Sequence, residues 1–158
     1  MTYNQIRRTQ LLKTDIDTLW NFMSAPVNLK AITPKYMLFD VISKNNDKKI
    51  YPGMIIAYKV APLLRIPMTW ITEITKIEEK KLFIDEQKVG PYKLWHHQHI
   101  FTIKQDGILM EDIITYTPPF GLIGRIANSL FIKNTINKIF DYRNQVLAKR
   151  FNNVSETN

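Results

Sequence analysis

The chain has 158 residues, of which 45% are apolar, 11% aromatic and 23% charged, with a formal charge of +8; this is the profile of an ordinary soluble globular protein of one domain's size. It has no cysteine, which excludes disulfides, thiolate catalysis and every cysteine-based metal site. The start lacks the apolar core of a signal peptide and no run approaches the roughly 18 apolar residues of a membrane span, so the expected location is cytoplasmic.

Tyr3 to Leu12 alternates loosely and is predicted as a strand. Thr14-Asp15-Ile16-Asp17 reads as a helix start with Thr14 as cap, the helix running through Leu19, Trp20 and Met23 to about Ser24. Ala25-Pro26 breaks it, and Val27 to Ile32 forms a second short helix that Thr33-Pro34 stops. From Met37 onward, apolar or alternating runs predict strands over Met37 to Ser43, Met54 to Val60, Met68 to Ile77, Leu82 to Lys88, Tyr92 to Lys104 and Ile108 to Tyr116. Turn chemistry separates them at Asn45-Asn46-Asp47, Tyr51-Pro52-Gly53, a loop bracketed by Pro62 and Pro67, Glu78 to Lys81, Val89-Gly90-Pro91 and Gln105-Asp106-Gly107. Such short connections favour antiparallel neighbours.

The last element, about Phe120 to Arg150, is helical, but its apolar stripe changes phase. Ile123, Ala127, Leu130 and Phe131 cluster on one side, and Ile136, Ile139, Phe140 and Leu147 on nearly the opposite side. Either the helix breaks near Lys133-Asn134 or both faces are covered, and we expect the break. Ahead of it, Pro118-Pro119-Phe120-Gly121-Leu122-Ile123-Gly124 is a stiff-then-flexible hinge that suits a lid, a membrane-touching flap or an ordinary docking loop. Asn152 to Asn158 reads as a frayed polar tail.

The positive excess is concentrated in this last element, where Arg125, Lys133, Lys138, Arg143, Lys149 and Arg150 stand against only Asp141. No nucleic-acid motif, phosphate loop or dense basic run accompanies it, so nucleic acid is not an expected partner. A solvated helix face is the simplest account. Peripheral contact with an anionic membrane stays open, and the oligomeric state is not set by the sequence.

Residues 90–101, Gly-Pro-Tyr-Lys-Leu-Trp-His-His-Gln-His-Ile-Phe, hold all three histidines. On a strand, Trp95, His97, His99 and Phe101 share one face while Leu94, His96, Gln98 and Ile100 share the other. Two imidazoles beside two large aromatics suit a cavity for a ligand with apolar and polar parts better than a plain core. Asp85 and Gln87 share a face of the preceding strand and Asp112 lies on the following one. Carboxylates beside imidazoles can orient a polar ligand group or pass a proton, or they can form a satisfied network that only shapes the sheet. Arg143 lies between Ile139 and Leu147 at four-residue steps on the apolar side of the long helix. Its guanidinium must pair with Asp85, Glu111 or Asp112, or grip an anionic ligand group. His-x-His near an acid can also bind zinc, iron or copper, but with no fixed third ligand neither a metal nor another cofactor is expected. Trp20, Phe22, Trp70, Trp95, Phe101 and Phe140 supply core or cavity wall.

One further pattern runs through Pro26-Val27-Asn28-Leu29, Ile32-Thr33-Pro34, Gly53 to Tyr58, Trp70 to Ile74, Phe83 to Gln87, Gly90 to His99 with Phe101, Asp112, Tyr116, Pro119-Phe120-Gly121 and Ile139 to Arg143. With these residues the chain resembles the START-like superfamily, typified by the birch-pollen allergen and polyketide cyclase/dehydrase-like proteins, and more closely the bacterial ligand-binding SRPBCC-domain proteins. The resemblance implies an α+β helix-grip fold: a curved antiparallel β-sheet wrapped around a long C-terminal helix, with two short helices after the first strand. Residues 1–151 would form a single ligand-binding domain and 152–158 a disordered tail. It further implies an internal hydrophobic cavity for an apolar small molecule such as a lipid, polyketide or isoprenoid-like compound. Ligand contacts are expected among Trp70, Asp85, Gln87, Trp95, His97, His99, Phe101, Asp112, Tyr116, Phe140 and Arg143. The alternative is a cyclase- or dehydratase-type enzyme with His97 or His99 as acid/base, Asp85 or Asp112 as orienter, and Arg143 stabilising an enolate.

Overall fold

Strand pairing sets the frame on which every candidate residue is held. The computed structural model describes residues 3–44, 48–61 and 66–152. Among the described residues there are seven strands: β1 (Asn4–Leu12), β2 (Asp40–Val41), β3 (Ile55–Val60), β4 (Met68–Glu78), β5 (Leu82–Val89), β6 (Leu94–Lys104) and β7 (Gly107–Thr117). They form one antiparallel sheet in the order β1-β7-β6-β5-β4-β3-β2, with β1 added beside β7. Register shifts in the β4–β5 ladder, at Ile71/Thr72 and at Ile74/Lys76, mark irregularities of the bulge kind, which increase local twist and curve a sheet. Helix α1 (Ile16–Met23) and a tight helical turn over Pro26–Ile32 follow β1, and a helical run from Gly121 to Phe151 closes the chain. This is the curved sheet, long C-terminal helix and pair of short helices of the helix-grip fold.

Three apolar clusters lie between sheet and helices. One joins Leu12, Leu19, Trp20, Phe101, Leu147 and Phe151, the second Ile6, Tyr92, Ile114, Tyr116, Ile136 and Phe140, and the third Met54, Ile56, Tyr58 and Ile74. The strict alternation of β7, with Ile108, Met110, Asp112, Ile114 and Tyr116 all buried, fixes its register because a one-residue slip would turn that whole set to water.

The structure departs from the sequence reading at several local points. The α1 cap is Asp15, not Thr14: Asp15 has extended backbone and its carboxylate accepts the Thr18 N–H at 2.8 Å. The strand expected over Met37 to Ser43 shrinks to Asp40–Val41, because Lys35–Met37 forms a helical turn closed by Leu38 in the left-handed conformation at φ 49°. The last helix does not break at Lys133-Asn134. It runs as α2 (Gly121–Ala127), a π turn (Asn128–Ile132) and α3 (Lys133–Phe151), and the π turn rephases the apolar stripe. Nor are both faces covered: Gly124, Asn128 and Ile132 form the buried side of the first segment, and Ile123, Leu130 and Phe131 are exposed. Asn152 is not frayed, since its side chain accepts the Lys13 N–H at 2.9 Å and donates to the Leu11 carbonyl at 3.3 Å. The expected turn at Asn45-Asn46-Asp47, the Pro62 end of the next loop and the tail at 153–158 lie outside the described residues.

Gly107 opens β7 at φ 139°, and a β-carbon there would overlap the Leu12 carbonyl oxygen, whereas Gly53 at φ 84° has open space around it. Gly53→Ala is expected to cost about 1 kcal/mol and Gly107→Ala clearly more, since it adds overlap to backbone strain. Urea unfolding of the two variants checks the order.

Candidate functional site

The site is assembled by three adjacent strands and one helix. Strand β6 turns Trp95, His97, His99 and Phe101 inward, as alternation requires. Its neighbours put Asp85 of β5 opposite His97 and Asp112 of β7 opposite His99. The hydrogen bonds run diagonally: His97 Nε2 lies 2.9 Å from Asp112 Oδ1, and His99 Nε2 lies 3.0 Å from Asp85 Oδ2. The remaining nitrogens are close as well. His97 Nδ1 is 3.4 Å from Asp85 Oδ2, and His99 Nδ1 is 3.0 Å from Asp112 Oδ1 but off the line of a hydrogen bond. The two rings stand 3.8 Å apart between their carboxylates, with Asp112 exposed by 2%, His99 by 3% and His97 by 4%.

Burying Asp112, with the half-buried Asp85 beside it, demands compensation. Helix α3 supplies part of it through Arg143, whose Nη1 is 3.6 Å from Asp112 Oδ1 and whose guanidinium sits 4.9 Å over the Phe140 ring. Glu111, the other partner open to Arg143 from sequence, points outward and pairs with Arg7 at 2.8 and 2.9 Å. The second positive charge falls on His99. Burial alone would push its pKa down, but Asp112 and Asp85 outweigh that and raise it. For His97, burial and the neighbouring His99 charge prevail and hold the pKa at about 4. Burial would raise the acidity constants of both carboxyls. For Asp85 the charge of His97 and contact with His99, and for Asp112 contact with both imidazoles, reverse this and hold each below the usual carboxylate range. Asp85 and Asp112 as anions, with Arg143 and His99 as cations, therefore make a cluster of zero net charge. A neutral His97 has one N–H, which Nε2 donates to Asp112, leaving its lone pair on Nδ1.

A cavity of about 150 Å³ adjoins this cluster. Of the residues expected at the ligand, Trp70, Asp85, Trp95, His97, His99, Phe140 and Arg143 line it. Asp112 lies behind the histidines. Gln87, Phe101 and Tyr116 do not line this cavity. Gln87 clamps the backbone of Tyr92, donating to its carbonyl at 2.6 Å and accepting its N–H at 3.3 Å. Phe101 packs edge-on against Trp20 with centroids 5.5 Å apart, and the Tyr116 hydroxyl donates to Asn128 at 2.8 Å. His96, on the outer face, meets Glu86 at 2.8 Å. The sequence reading missed wall residues Met37, Tyr58, Thr72, Tyr92, Ile136 and Ile139. Tyr58 was detectable, because Ile56, Tyr58 and Val60 alternate along β3. Burial holds the Tyr58 hydroxyl protonated, and the Thr72 hydroxyl lies 3.4 Å from it.

Among the described cavity groups Arg143 has the most unused capacity, with His99 Nδ1 beside it also lacking a hydrogen-bond partner. Arg143 is 8% exposed, and its Nε and Nη1 are buried with no hydrogen-bond partner among the described residues. Asp85, His97 and His99 also bring one ligand atom each within 4.8 Å of one another, a set able to hold a divalent ion such as zinc or iron. Binding there requires His99 to give up its proton, because ligand nitrogens must be free.

No family model matches the sequence, and no curated protein matches it. Solved structures do. A protein from Chromobacterium violaceum superposes with a TM-score of 0.71 at 11% identity, over 92% of this chain and 96% of that one. A START superfamily protein from Mycobacterium smegmatis gives 0.67 at 10% identity over 96% and 99%. A major latex-like protein from Panax ginseng gives 0.64 at 12% identity over 94% and 97%. At 10–12% identity these likenesses establish the shared helix-grip fold.

The cluster sets the pH dependence of stability. Asp85 and Asp112 have depressed folded-state pKa values, so their contribution is present above the unfolded value of about 4 and lost below it. His97, depressed to about 4, resists a proton that the unfolded chain takes up below about pH 6.5, so stability falls as pH drops across that window. His99 is raised, so its contribution is full below about pH 6.5 and lost as pH rises through its folded value. Denaturant midpoints across pH should show a maximum near neutrality. Asp112→Asn should cost about 3–5 kcal/mol and remove the alkaline-side loss.

Proposed function

We propose that the chain binds an apolar small molecule through its cavity and that the ligand presents a carbonyl-type oxygen to Arg143. The observation that carries this reading is the buried guanidinium with two donors unused on a cavity wall. Each unpaired buried donor costs about 1–3 kcal/mol, which a ligand acceptor recovers. A neutral acceptor fits best, because the cluster is already balanced. A carboxylate would leave one negative charge over and would draw a proton onto His97. Outside the charged cluster the walls are mostly apolar or aromatic, among them Trp70, Trp95, Ile136 and Phe140, with Thr33, Thr72 and the Tyr58 hydroxyl as polar exceptions. A cavity of about 150 Å³ is the size that accepts a benzene ring, so a polyketide-, lipid- or isoprenoid-sized ligand requires the walls to part. A cytoplasmic location belongs to this reading, supported by the absence of cysteine.

A second reading, proton transfer of the cyclase or dehydratase kind, is favoured by one specific feature. His99 carries its proton on the same cavity as Arg143, so an acid and an enolate-stabilising cation face one space. Its weak point is the base: with a pKa of about 4, His97 has little proton affinity at neutral pH. Turnover would be seen as deuterium uptake at the α-carbon of a ketone, reduced in His99→Gln.

The binding test uses acetophenone and ethylbenzene, equal in shape except for the oxygen, followed by NMR shift changes of the Trp70 and Trp95 indoles. Wild type is expected to prefer the ketone about tenfold. Arg143→Met should erase that preference while still binding ethylbenzene, and Arg143→Lys should keep part of it. Equal affinity of wild type for the two compounds, or no binding of either, would contradict the proposal.

A further inference from the structure

Helix α2, its N-terminal flank and the π turn after it present most of their large apolar residues to water, Ile132 excepted. Phe120 is 81% exposed, Leu122 68%, Ile123 72% and Leu130 73%. A surface helix ordinarily does the reverse. The orientation is enforced by the other face: a β-carbon on Gly124 would overlap the Pro119 carbonyl oxygen. Asn128 in turn accepts from the Tyr116 hydroxyl at 2.8 Å and donates to Asn4 at 3.2 Å. The chain keeps a glycine and an asparagine inside and leaves leucine and isoleucine out.

This face is part of a larger end. Leu94 pairs with Thr117, and Asn4 with Tyr116, so the starts of β1 and β6 and the end of β7 share one rim with Phe120 and Gly121. The antiparallel order brings Val89 of β5 to the same rim, opposite Ile71 near the start of β4. Exposed Tyr3, Val89 and Leu94 thus extend the apolar surface beyond the helix. The cavity reaches this end as well, since its walls Trp70, Tyr92 and Trp95 pack with Ala127 and Ile132 in one cluster.

The charges at this end have one sign in excess. Lys93, Arg125 and Lys133 are exposed and have no carboxylate partner among the described residues. The acids on the neighbouring strands are already matched, Glu86 with His96 at 2.8 Å and Glu73 with Lys88 at 2.6 Å. Apolar side chains that project from a helix and several strand ends, interleaved with unpaired cations, fit a fluid anionic surface. A bilayer buries the former and attracts the latter. No helix among the described residues is long and apolar enough to cross a membrane, so the contact is peripheral.

We infer that this end of the molecule docks on an anionic lipid bilayer, with α2 lying in the interface beside the cavity. The inference does not depend on which ligand the cavity takes. The experiment is flotation of the full chain with vesicles of phosphatidylcholine alone or mixed with phosphatidylglycerol. Binding is expected only to the mixed vesicles, and it should weaken with salt. Ile123→Glu should reduce it about tenfold or more, and Arg125→Glu with Lys93→Glu should remove its salt dependence. Ile103→Glu is the control, because Ile103 is 68% exposed but pairs with Ile108 at the opposite rim; it should bind as wild type does. Failure of wild type to float with mixed vesicles overturns the inference, as does equal loss in Ile103→Glu. A wild-type dimer in light scattering that Ile123→Glu dissociates, without vesicle binding, would overturn it and assign the face to self-association.

Discussion

The structure depends on the requirement that charge buried beneath the sheet must sum to zero. Asp112 is 2% exposed and cannot be left as a lone anion, since an uncompensated buried charge costs several kcal/mol. Asp85, half-buried beside it, adds to the demand. The β5, β6 and β7 register answers by setting His97 and His99 between the two carboxylates, and α3 brings Arg143 to within 3.6 Å of Asp112. Sheet register and helix placement are therefore coupled: shift either, and a charge is stranded.

Neutrality in turn divides the work between the histidines. With two anions and one permanent cation, a single further proton completes the balance, and the paired contacts of His99 place it there. His97 is left with a hydrogen bond to Asp112 and a lone pair on Nδ1, 3.4 Å from Asp85 Oδ2. Arg143 contributes charge to the cluster without using all its donors on it, which leaves a polar anchor in a largely apolar and aromatic space. On the proposed function, the structural network and the binding site are the same set of residues, and the network's balance favours a neutral acceptor over an anion.

How much of this was legible in the sequence follows from the periods involved. The two-residue period of β6 put His97 and His99 on the inner face, and the same rule placed Asp85 and Asp112 beside them. The four-residue step from Ile139 to Leu147 placed Arg143 inward. What alternation does not encode is position along a strand. Gln87, Phe101 and Tyr116 share the inner face or its neighbourhood but lie beyond the cavity's ends, and Tyr92 entered the wall from a loop. The phase change in the last helix was visible, yet its cause was not. A π turn adds a residue without any proline or glycine to mark it, and apolar residues that face water violate the rule by which helix faces are read. Asp15 was overlooked as cap because Thr14 and Asp15 are both good capping types, and only the backbone angles separate them.

The most direct test of this account is the protonation state of the two buried imidazoles at neutral pH, read from ¹⁵N-labelled histidine side chains by NMR. The charge-balanced cluster requires His99 with both nitrogens protonated and His97 neutral with its proton on Nε2. Two neutral imidazoles would leave the buried cluster with a net negative charge. That result would contradict both the balance argued here and the assignment of the unused Arg143 donors to a neutral ligand.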